Sequence, residues 1–411
     1  MRRVVVTGVG AISPLGHDWR TVEAALRAGR NVVRRIEPWA AYEGLNTQVG
    51  APAMPFELPP ARYHRKSTRS MGRVALMATR ASELALEDAG LTGDPLVTSG
   101  RMGIAYGSSS GTPSAIGDFG RMLAEKSTEG INATTYIKMM SHTAAVNIGV
   151  FLGLTGRIIT TTSACTSGSQ GIGYAFESIQ SGRQTAMLAG GAEELDATQA
   201  AVFDTLFATS VKYNNTPDLT PRPFDLARDG LVLGEGACTL VLEDHAHAVA
   251  RGARIYAEIV GFGTNSDGAH VTHPQARTMA EAIRLALDDA QLQPIDIKYV
   301  NAHGTATDQG DVAESHATHD VFGANIAISS LKSYMGHTLG ACGALEAWMT
   351  IEMMRSGWFA PTLNLRTVDP RCAELDYLVG DGRKLQTDVV MSNNFAFGGI
   401  NTSLIFKRLS N

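Results

Sequence analysis

The amino-acid sequence predicts an α/β fold of parallel sheets covered by helices. Apolar runs rich in β-branched residues alternate with helical patterns along the 411 residues. Several of these runs end in loops of glycine, serine and threonine, which is typical of a strand that leads into a helix. Strands that alternate with helices favour parallel pairing, because each connection back to the sheet edge takes a helix.

The first half of the chain holds four predicted strands. The first is a short apolar run that we expect to end at Gly8 and Gly10, and the other three lead into small-residue turns. These strands cover residues 3–7, 102–111, 157–168 and 185–194. Residues 71–90 have helical periodicity and stop at Gly90, and a second helical stretch follows the third strand as far as Gly182.

The second half repeats this order. Strands are predicted at 254–263 and 297–307, and an amphipathic helix at 276–292. TTTSACTSGSQ leads through a helix to IQSG at 179–182, and ISSLKSYMGHTLGACG leads through a helix to MRSG at 354–357. This echo predicts two similar α/β halves, residues 1–255 and 256–411.

Composition excludes several classes of protein. The net charge of -5 argues against nucleic acid as a partner. Four cysteines without a C-x-x-C pair do not make a disulfide scaffold. The apolar start MRRVVVTGVGAISPLG is short and broken by glycines, so it fits a first strand better than a signal peptide, and no stretch reaches membrane-spanning length. We expect a cytoplasmic protein that does not act at a membrane.

Cys165 and two histidines are the candidates for chemistry. Cys165 lies where a strand gives way to a helix, and the positive end of the helix dipole favours a thiolate there. His303 and His337 each follow a short strand and are flanked by glycine, where α/β proteins place ligands. Each residue alone has a structural alternative: a buried small hydrophobe for the cysteine, or a histidine bonded to nearby backbone.

Two further elements fit a shared site. Lys332, five residues before His337, could supply a fixed charge, although an exposed lysine is the alternative. In NNFAFGGIN at 393–401, the glycines after Phe397 allow a close backbone approach, so an N–H there could serve an oxyanion hole. The alternative for this segment is a tight turn with two core aromatics.

These motifs resemble, in order and over essentially the whole chain, the β-ketoacyl-acyl-carrier-protein synthases of the KAS I/KAS II type, members of the thiolase-like superfamily. The landmarks are SACTSG around Cys165, RPFDLARDGLVLGEGA (222–237), NAHGTATDQGD (301–311), LKSYMGHTLGACGALE (331–346) and NNFAFGG (393–399). The resemblance implies a thiolase-like fold with two similar halves in a five-layered αβαβα arrangement, and a homodimer.

The resemblance also assigns roles. The nucleophile of the family matches Cys165, and its two active-site histidines match His303 and His337. Its conserved lysine matches Lys332, and a buried structural glutamate matches Glu346. Such enzymes carry an acyl group on the cysteine and condense it with malonyl-carrier protein, releasing CO₂. Because decarboxylation drives the reaction, no metal or redox cofactor is expected, and both substrates arrive on the phosphopantetheine of acyl carrier protein.

Further roles follow from the same match. The oxyanion hole is expected from the N–H groups of Cys165 and Phe397, with Phe397 and Phe395 as gating residues. Thr305 and Thr307 match the threonines that contact the pantetheine arm. The chain has no acidic residue between Arg62 and Ser82. This basic stretch predicts a docking patch for the carrier protein, although a solvated helix face is the alternative. The docking residues proposed within it are Arg65, Lys66 and Arg69.

The sequence leaves the acyl-chain preference and the pathway undecided. Ser110, Met139 and Met140 match the acyl pocket, and Ser110 is small where KAS II enzymes often carry a larger aliphatic residue. Asp308 stands where fatty-acid enzymes often have proline. The sequence therefore fits fatty-acid elongation, or alternatively a specialised polyene or polyketide ketosynthase with a chain-length-factor-like partner. A chain-length factor itself would lack the cysteine, and a cysteine hydrolase would not need the second histidine.

Overall fold

Within residues 1–409, which this computed structural model describes, the chain forms sixteen strands, eleven of them in one mixed sheet. The strands are β1 (Val4–Ile12), β2 (Arg34–Arg35), β3 (Val49–Ala51), β4 (Met102–Gly107), β5 (Ile158–Thr160), β6 (Ala186–Glu193), β7 (Leu233–Gly234), β8 (Gly236–Asp244), β9 (Ala257–Ser266), β10 (Tyr299–Asn301), β11 (Ala327–Ser329), β12 (Trp358–Phe359), β13 (Asp376–Tyr377), β14 (Arg383–Lys384), β15 (Val389–Ala396) and β16 (Ile400–Lys407).

Fourteen α-helices cover the sheet in the same described range. They are α1 (Trp19–Arg27), α2 (Arg65–Thr68), α3 (Arg73–Asp88), α4 (Pro95–Thr98), α5 (Pro113–Glu125), α6 (Ala133–Met139), α7 (Thr143–Leu152), α8 (Ser167–Gln180), α9 (Ala197–Asp204), α10 (His245–Ala250), α11 (Ala276–Ala290), α12 (Asp308–Phe322), α13 (Lys332–Met335) and α14 (Cys342–Ser356). None of the helices in the described part of the chain is long and apolar enough to span a bilayer.

The first strand is longer than predicted. It continues through Gly8 and Gly10 to Ile12. A Cβ atom at Gly8 would lie 2.5 Å from the carbonyl oxygen of Ala85, and one at Gly10 would lie 2.1 Å from that of Ala81. These glycines therefore let α3 pack closely on the strand, rather than marking a turn as we predicted.

The sheet has the same strand order in both halves of the chain. The order β5-β4-β6-β8-β1 in the first half is matched by β11-β10-β15-β16-β9 in the second, and the two meet where β1 pairs with β9. The outer strands are parallel as predicted, but β8 and β16 pair antiparallel with their neighbours. A tight turn joins β15 to β16, and a connection that short permits only antiparallel pairing. We propose a domain boundary near residue 255.

Helices form three layers around these strands. α3 and α7 pack on the strands of the first half, α11 packs on those of the second half with α12 beside it, and α8 and α14 lie against each other between the two. The central position of α14 explains its composition, because every residue from Cys342 to Met354 is buried. The predicted five-layered thiolase-like arrangement is confirmed. It places the beginnings of α8 and α14 side by side.

Candidate active site

Cys165 lies in a turn that leads into the central helix α8. A 3₁₀ turn at Ala164–Thr166 precedes the helix, and Ala164 adopts the left-handed conformation with φ 51°. Such strained backbone is typical of a functional turn that has to present one side chain. Burial raises the pKa of the Cys165 thiol to about 11, against the opposing effects of the Lys332 charge and the Phe397 N–H. The helix start alone therefore does not make this thiol acidic.

His337 faces the sulfur. Its Nε2 atom is 3.0 Å from Cys165 Sγ, and its ring is buried. The backbone N–H of Leu339 donates to His337 Nδ1 at 3.3 Å. An Nδ1 atom that accepts has no proton, so in the neutral ring the proton is on Nε2 and points at the sulfur. This histidine is therefore arranged as a hydrogen-bond donor.

His303 stands perpendicular to His337. The ring centroids are 5.1 Å apart, at an interplanar angle of 89°. Two oxygens of Glu314 fix the His303 loop, accepting the His303 N–H at 2.7 Å and the Gly304 N–H at 2.6 Å. Burial and the charge of Lys332 hold the pKa of both imidazoles well below its ordinary value, so both rings are neutral near pH 7.

Lys332 is buried, and the exposed alternative is wrong. Its Nζ atom is 2.5 Å from Glu346 Oε1, and both side chains are essentially without solvent contact. Burial alone would lower the pKa of Lys332, but attraction to the Glu346 carboxylate, together with Cys342 and Glu314, raises that pKa overall. The second Glu346 oxygen accepts from Asn394 Nδ2 at 2.8 Å, and this amide also approaches His303 Nδ1 at 3.5 Å. A chain of polar contacts thus connects the ammonium to His303.

The turn between β15 and β16 closes the site from another side. Its glycines Gly398 and Gly399 have φ values of 87° and 69°, which side chains with a Cβ rarely adopt. The backbone N–H groups of Phe397 and of Cys165 itself favour the thiolate and so act to lower the pKa of Cys165. The Phe397 ring stacks on Phe203 with centroids 5.2 Å apart.

Phe395 lies beside His303 and is not part of this stack. Its ring meets His303 edge-on at 6.3 Å. It packs in a small apolar cluster with Met279 and Ala280. The two phenylalanines therefore belong to different surroundings, one packed in the protein and one beside the sulfur.

An open cavity connects Cys165 to the surface. Its walls include both histidines, Phe395 and Phe397. Thr305 and Thr307 also line it, with their hydroxyls 2.9 Å apart. A linear thioester arm could therefore pass the two threonines and reach the sulfur.

The three residues predicted for the acyl pocket do not line this cavity in the described structure. Among the described residues, the cavity lining includes neither Ser110 nor Met139 nor Met140. Ser110 accepts a hydrogen bond from Gln199 at 3.1 Å, and its loop packs against the end of α6, where a Cβ on Gly111 would lie 2.0 Å from the Met139 carbonyl oxygen. In the described structure this loop therefore does not line the cavity that leads to Cys165.

The basic stretch divides into two sets. Arg62 and Arg80 pair with Glu83, and Arg73 pairs with Glu235. The three proposed docking residues are exposed on and beside the short helix α2, and within residues 1–409 they form no ion pair. These residues are Arg65, Lys66 and Arg69. Their charges are therefore free to meet an acidic partner.

Sequence reasoning missed Glu314 and Asn394. Glu314 is on the inward face of α12, three residues after the buried Asp311. Two acids at helical spacing on one buried face are an unusual pattern, and it could have drawn attention to Glu314. Asn394 falls inside NNFAFGG, where attention went to the glycines. Nothing in the local sequence indicates which of its two asparagines faces Glu346.

Comparison with known proteins agrees with this geometry. Residues 1–248 match the family described as Beta-ketoacyl synthase, N-terminal domain, and residues 256–366 match its C-terminal domain. The chain is 38% identical to 3-oxoacyl-acyl-carrier-protein synthase 1 of Haemophilus influenzae, with 99% of each chain covered. It is 37% identical to 3-oxoacyl-acyl-carrier-protein synthase 2 of Synechocystis sp., with 99% of this chain and 98% of the other covered.

Solved structures are similar over the full length. A β-ketoacyl synthase from Burkholderia phymatum has 62% identity, complete coverage of both chains and a TM-score of 0.98. The ishigamide ketosynthase/chain length factor has 35% identity, complete coverage of both chains and a TM-score of 0.91. The fold and the cysteine-histidine-histidine site define an acyltransferase of the condensing class. The chain belongs to the β-ketoacyl synthase family, of the KAS I/KAS II type.

Proposed function

We propose that this β-ketoacyl synthase extends acyl chains in fatty-acid biosynthesis by decarboxylative condensation with malonyl-carrier protein. One observation carries the proposal: the Cys165 sulfur lies 3.0 Å from a histidine Nε2 at the inner end of an open cavity, with a second neutral histidine beside it. A nucleophile and two neutral N–H donors are the groups that acyl transfer followed by enolate formation needs.

In the first half-reaction, Cys165 becomes acylated. The sulfur attacks the thioester carbonyl, and the tetrahedral oxyanion accepts hydrogen bonds from the N–H groups of Cys165 and Phe397. The C–S bond to the carrier arm then breaks, and the arm departs as a thiol, because it takes up the proton that the Cys165 thiol gives up on attack. Both N–H groups act on the sulfur in the resting enzyme by lowering its pKa, which supports their assignment as oxyanion donors.

In the second half-reaction, a malonyl thioester loses CO₂. The electron pair of the broken C–C bond forms an enolate, whose oxygen accepts from the Nε2–H of His303 and of His337. The enolate carbon then attacks the acyl-cysteine carbonyl, and the Cys165 thiolate leaves. Asn394, oriented by Glu346, donates toward His303 Nδ1 and so places the His303 proton on Nε2.

The same hydrogen bonds bear on metal binding. Cys165, His303 and His337 lie close enough to hold an ion. A metal at Nε2 would require the proton to move to Nδ1, where Leu339 N–H and Asn394 Nδ2 already donate. These hydrogen bonds therefore disfavour a metal ion at this site. The proposed reaction uses substrates carried on phosphopantetheine and needs no cofactor of its own.

The partner we propose is acyl carrier protein, docked on the exposed cations at 65, 66 and 69. Charge complementarity with an acidic carrier supports this placement. We also propose a homodimer. Within residues 1–409, edge strand β5 pairs only with β4, and its Ile158 is exposed (44%). An edge of this kind is a ready surface for pairing with another chain.

A specialised polyene or polyketide ketosynthase is the second candidate. The 35% identity to the ishigamide ketosynthase/chain length factor favours it. A third solved structure, at 30% identity, is a type II polyketide ketosynthase in complex with its acyl-carrier protein. In this case the β5 edge would meet a chain-length-factor-like subunit.

Product analysis tests both candidates. The purified chain is incubated with malonyl-carrier protein and defined acyl-carrier primers, and carrier-bound products are read by mass spectrometry. Fatty-acid elongation predicts a 3-oxoacyl product two carbons longer than the primer, together with CO₂. Hydrolysis of the primer without a longer product would refute the proposal. Activity that appears only after addition of a ketosynthase-like partner subunit would favour the second candidate.

A further inference from the structure

The turn that ends α9 has a phenylalanine at a position where this kind of turn usually has glycine. The N–H of Ala208 donates to the carbonyl of Phe203 at 3.0 Å, and the N–H of Phe207 donates to that of Asp204 at 3.0 Å. These two bonds define a Schellman motif, whose second-to-last residue takes the left-handed conformation and is usually glycine. Here that residue is Phe207, with φ 54°. A bulky side chain is strained in this conformation, so the fold alone does not favour phenylalanine at this position.

The Phe207 side chain is also exposed to solvent. Its exposed fraction is 91%, more than that of any other large hydrophobic residue between residues 2 and 409. Leu206 and Val271 are exposed as well, and all three residues line the cavity that leads to Cys165. Their exposure places them at the outer end of this cavity. We call Leu206, Phe207 and Val271 the apolar rim.

The protein that delivers the acyl group has to lie over this rim. In the proposed reaction each substrate is bonded to one end of a phosphopantetheine arm, and the carrier protein is bonded to the other end. The thioester reaches Cys165 only when the arm lies in the cavity, so the carrier then covers the cavity mouth. Among the described residues, the cavity lining contains no lysine or arginine. Opposite charge therefore does not hold an acidic carrier at this mouth, and its contact with the rim has to be apolar.

We propose that the apolar rim, with Phe207 as its main anchor, binds an apolar surface of acyl carrier protein next to the point where the arm is attached. The inference rests on the proposed function and adds a contact that the cations at 65, 66 and 69 do not supply. Binding buries a ring that the free enzyme leaves in water, and buried aromatic residues often dominate the affinity of an interface. This gain explains why a strained and exposed phenylalanine occupies a glycine position.

Phe207→Gly separates binding from folding, because it removes the ring and the strain together. We expect the KM of acylation by butyryl-carrier protein to rise about tenfold, while the KM for butyryl-pantetheine, which lacks the carrier, stays within about twofold of wild type. The midpoint of urea unfolding should be no lower than that of wild type, because glycine adopts left-handed backbone without strain. Phe207→Asn should give the same result, since asparagine also occurs at this position of the motif and is less flexible than glycine.

Gln291→Gly is the matched control. Gln291 ends α11 in the same motif, where its N–H donates to the Asp288 carbonyl at 3.1 Å and the N–H of Leu292 donates to that of Leu287 at 3.0 Å. Its φ is also 54°, and among the described residues the cavity lining does not include it. This variant should therefore keep the wild-type KM for butyryl-carrier protein and should also unfold at a urea concentration no lower than wild type.

Four results would overturn the apolar rim as a carrier contact. The first is a KM for butyryl-carrier protein within about twofold of wild type in Phe207→Gly, and the second is an equal rise in Gln291→Gly. An equal rise in the KM for butyryl-pantetheine would show that the ring contacts the arm. A change in sedimentation in Phe207→Gly would show that the rim joins two copies of this chain.

A separate result bears on the proposed function. Intact-mass spectra of the wild-type enzyme that show no acyl adduct from either substrate would refute it. Calorimetric titration with acyl carrier protein still tests the rim in that case, because binding needs no reaction. Equal affinities of wild type and Phe207→Gly in this titration would overturn the rim, and an affinity about tenfold lower in the variant would support it.

Discussion

Replacing Lys332 with methionine removes the only charge that faces Glu346 within hydrogen-bond distance in the described structure. The Nζ and Oε1 atoms are 2.5 Å apart and fully buried. At an effective dielectric of about 20 their attraction is ~7 kcal/mol, which desolvation of both ions largely offsets. Loss of one partner leaves an uncompensated buried carboxylate. We therefore expect Lys332→Met to lower the free energy of unfolding by about 3–5 kcal/mol.

This deficit should depend on pH. Burial already raises the pKa of Glu346, and removal of Lys332 takes away the main opposing influence. A carboxyl whose folded pKa exceeds its unfolded value adds stability at low pH and loses it as the pH rises through the folded value. The deficit should thus be smallest near about pH 4, where the unfolded carboxyl is also protonated, and largest in the alkaline range.

Urea unfolding at several pH values measures the effect. The double variant Lys332→Met/Glu346→Leu should recover most of the stability, because it replaces the whole pair by apolar groups. Since Lys332 also opposes the burial that raises the Cys165 pKa, alkylation of Cys165 should require higher pH in both variants. A deficit that is under about 1 kcal/mol, or equal at both pH extremes, would refute this electrostatic account.

Three further predictions concern the reaction. Cys165→Ala should abolish acyl-enzyme formation in intact-mass spectra, while Cys372→Ala should leave it unchanged; an adduct that persists in Cys165→Ala would disprove the assignment. His303→Ala should slow CO₂ release from malonyl-carrier protein by about 10²–10³ and acylation much less, because only decarboxylation needs a donor to the enolate oxygen; equal losses would contradict this role. A triple glutamate variant of the basic set should weaken carrier binding, and added salt should weaken it in the wild type. Unchanged affinity would show that these cations are only a solvated face. The substituted residues are Arg65, Lys66 and Arg69.

Periodic elements were the most predictable from sequence. The helix predicted at 71–90 is found at Arg73–Asp88, and the one predicted at 276–292 is found at Ala276–Ala290. Their apolar spacing records directly which face is buried. The first strand was predicted too short because glycine signals a turn and close packing alike. Only the position of α3 distinguishes the two.

The site was predictable where a residue's own side chain performs the chemistry. It was less predictable where a neighbouring group sets the properties of that side chain. Cys165, His303 and His337 stand out because few residue types act as nucleophiles or proton donors. The tautomer of His337 could not be predicted, since it depends on the backbone N–H of Leu339. The pKa of Cys165 follows from burial, which a helix-start pattern does not reveal. The tie between Gln199 and Ser110 joins residues far apart in sequence.

The landmark at 222–237 illustrates how such distant motifs become one site. Its Phe224 N–H donates to Asp311, which also accepts the Ala306 N–H beside the two threonines. Eight residues after Phe224, the Val232 carbonyl accepts the N–H of His337 at 2.7 Å, and the N–H of Gly234 donates to the His337 carbonyl at 2.9 Å.

One segment from the first half of the chain therefore fixes both histidine loops, which belong to the second half. The cysteine comes from the first half too, so relative movement of the halves would separate nucleophile from donors. The segment makes these contacts with its own backbone, so they hold the halves in register without depending on its own side chains. This explains why the motif contributes no reacting group and yet accompanies the catalytic motifs in order along the chain.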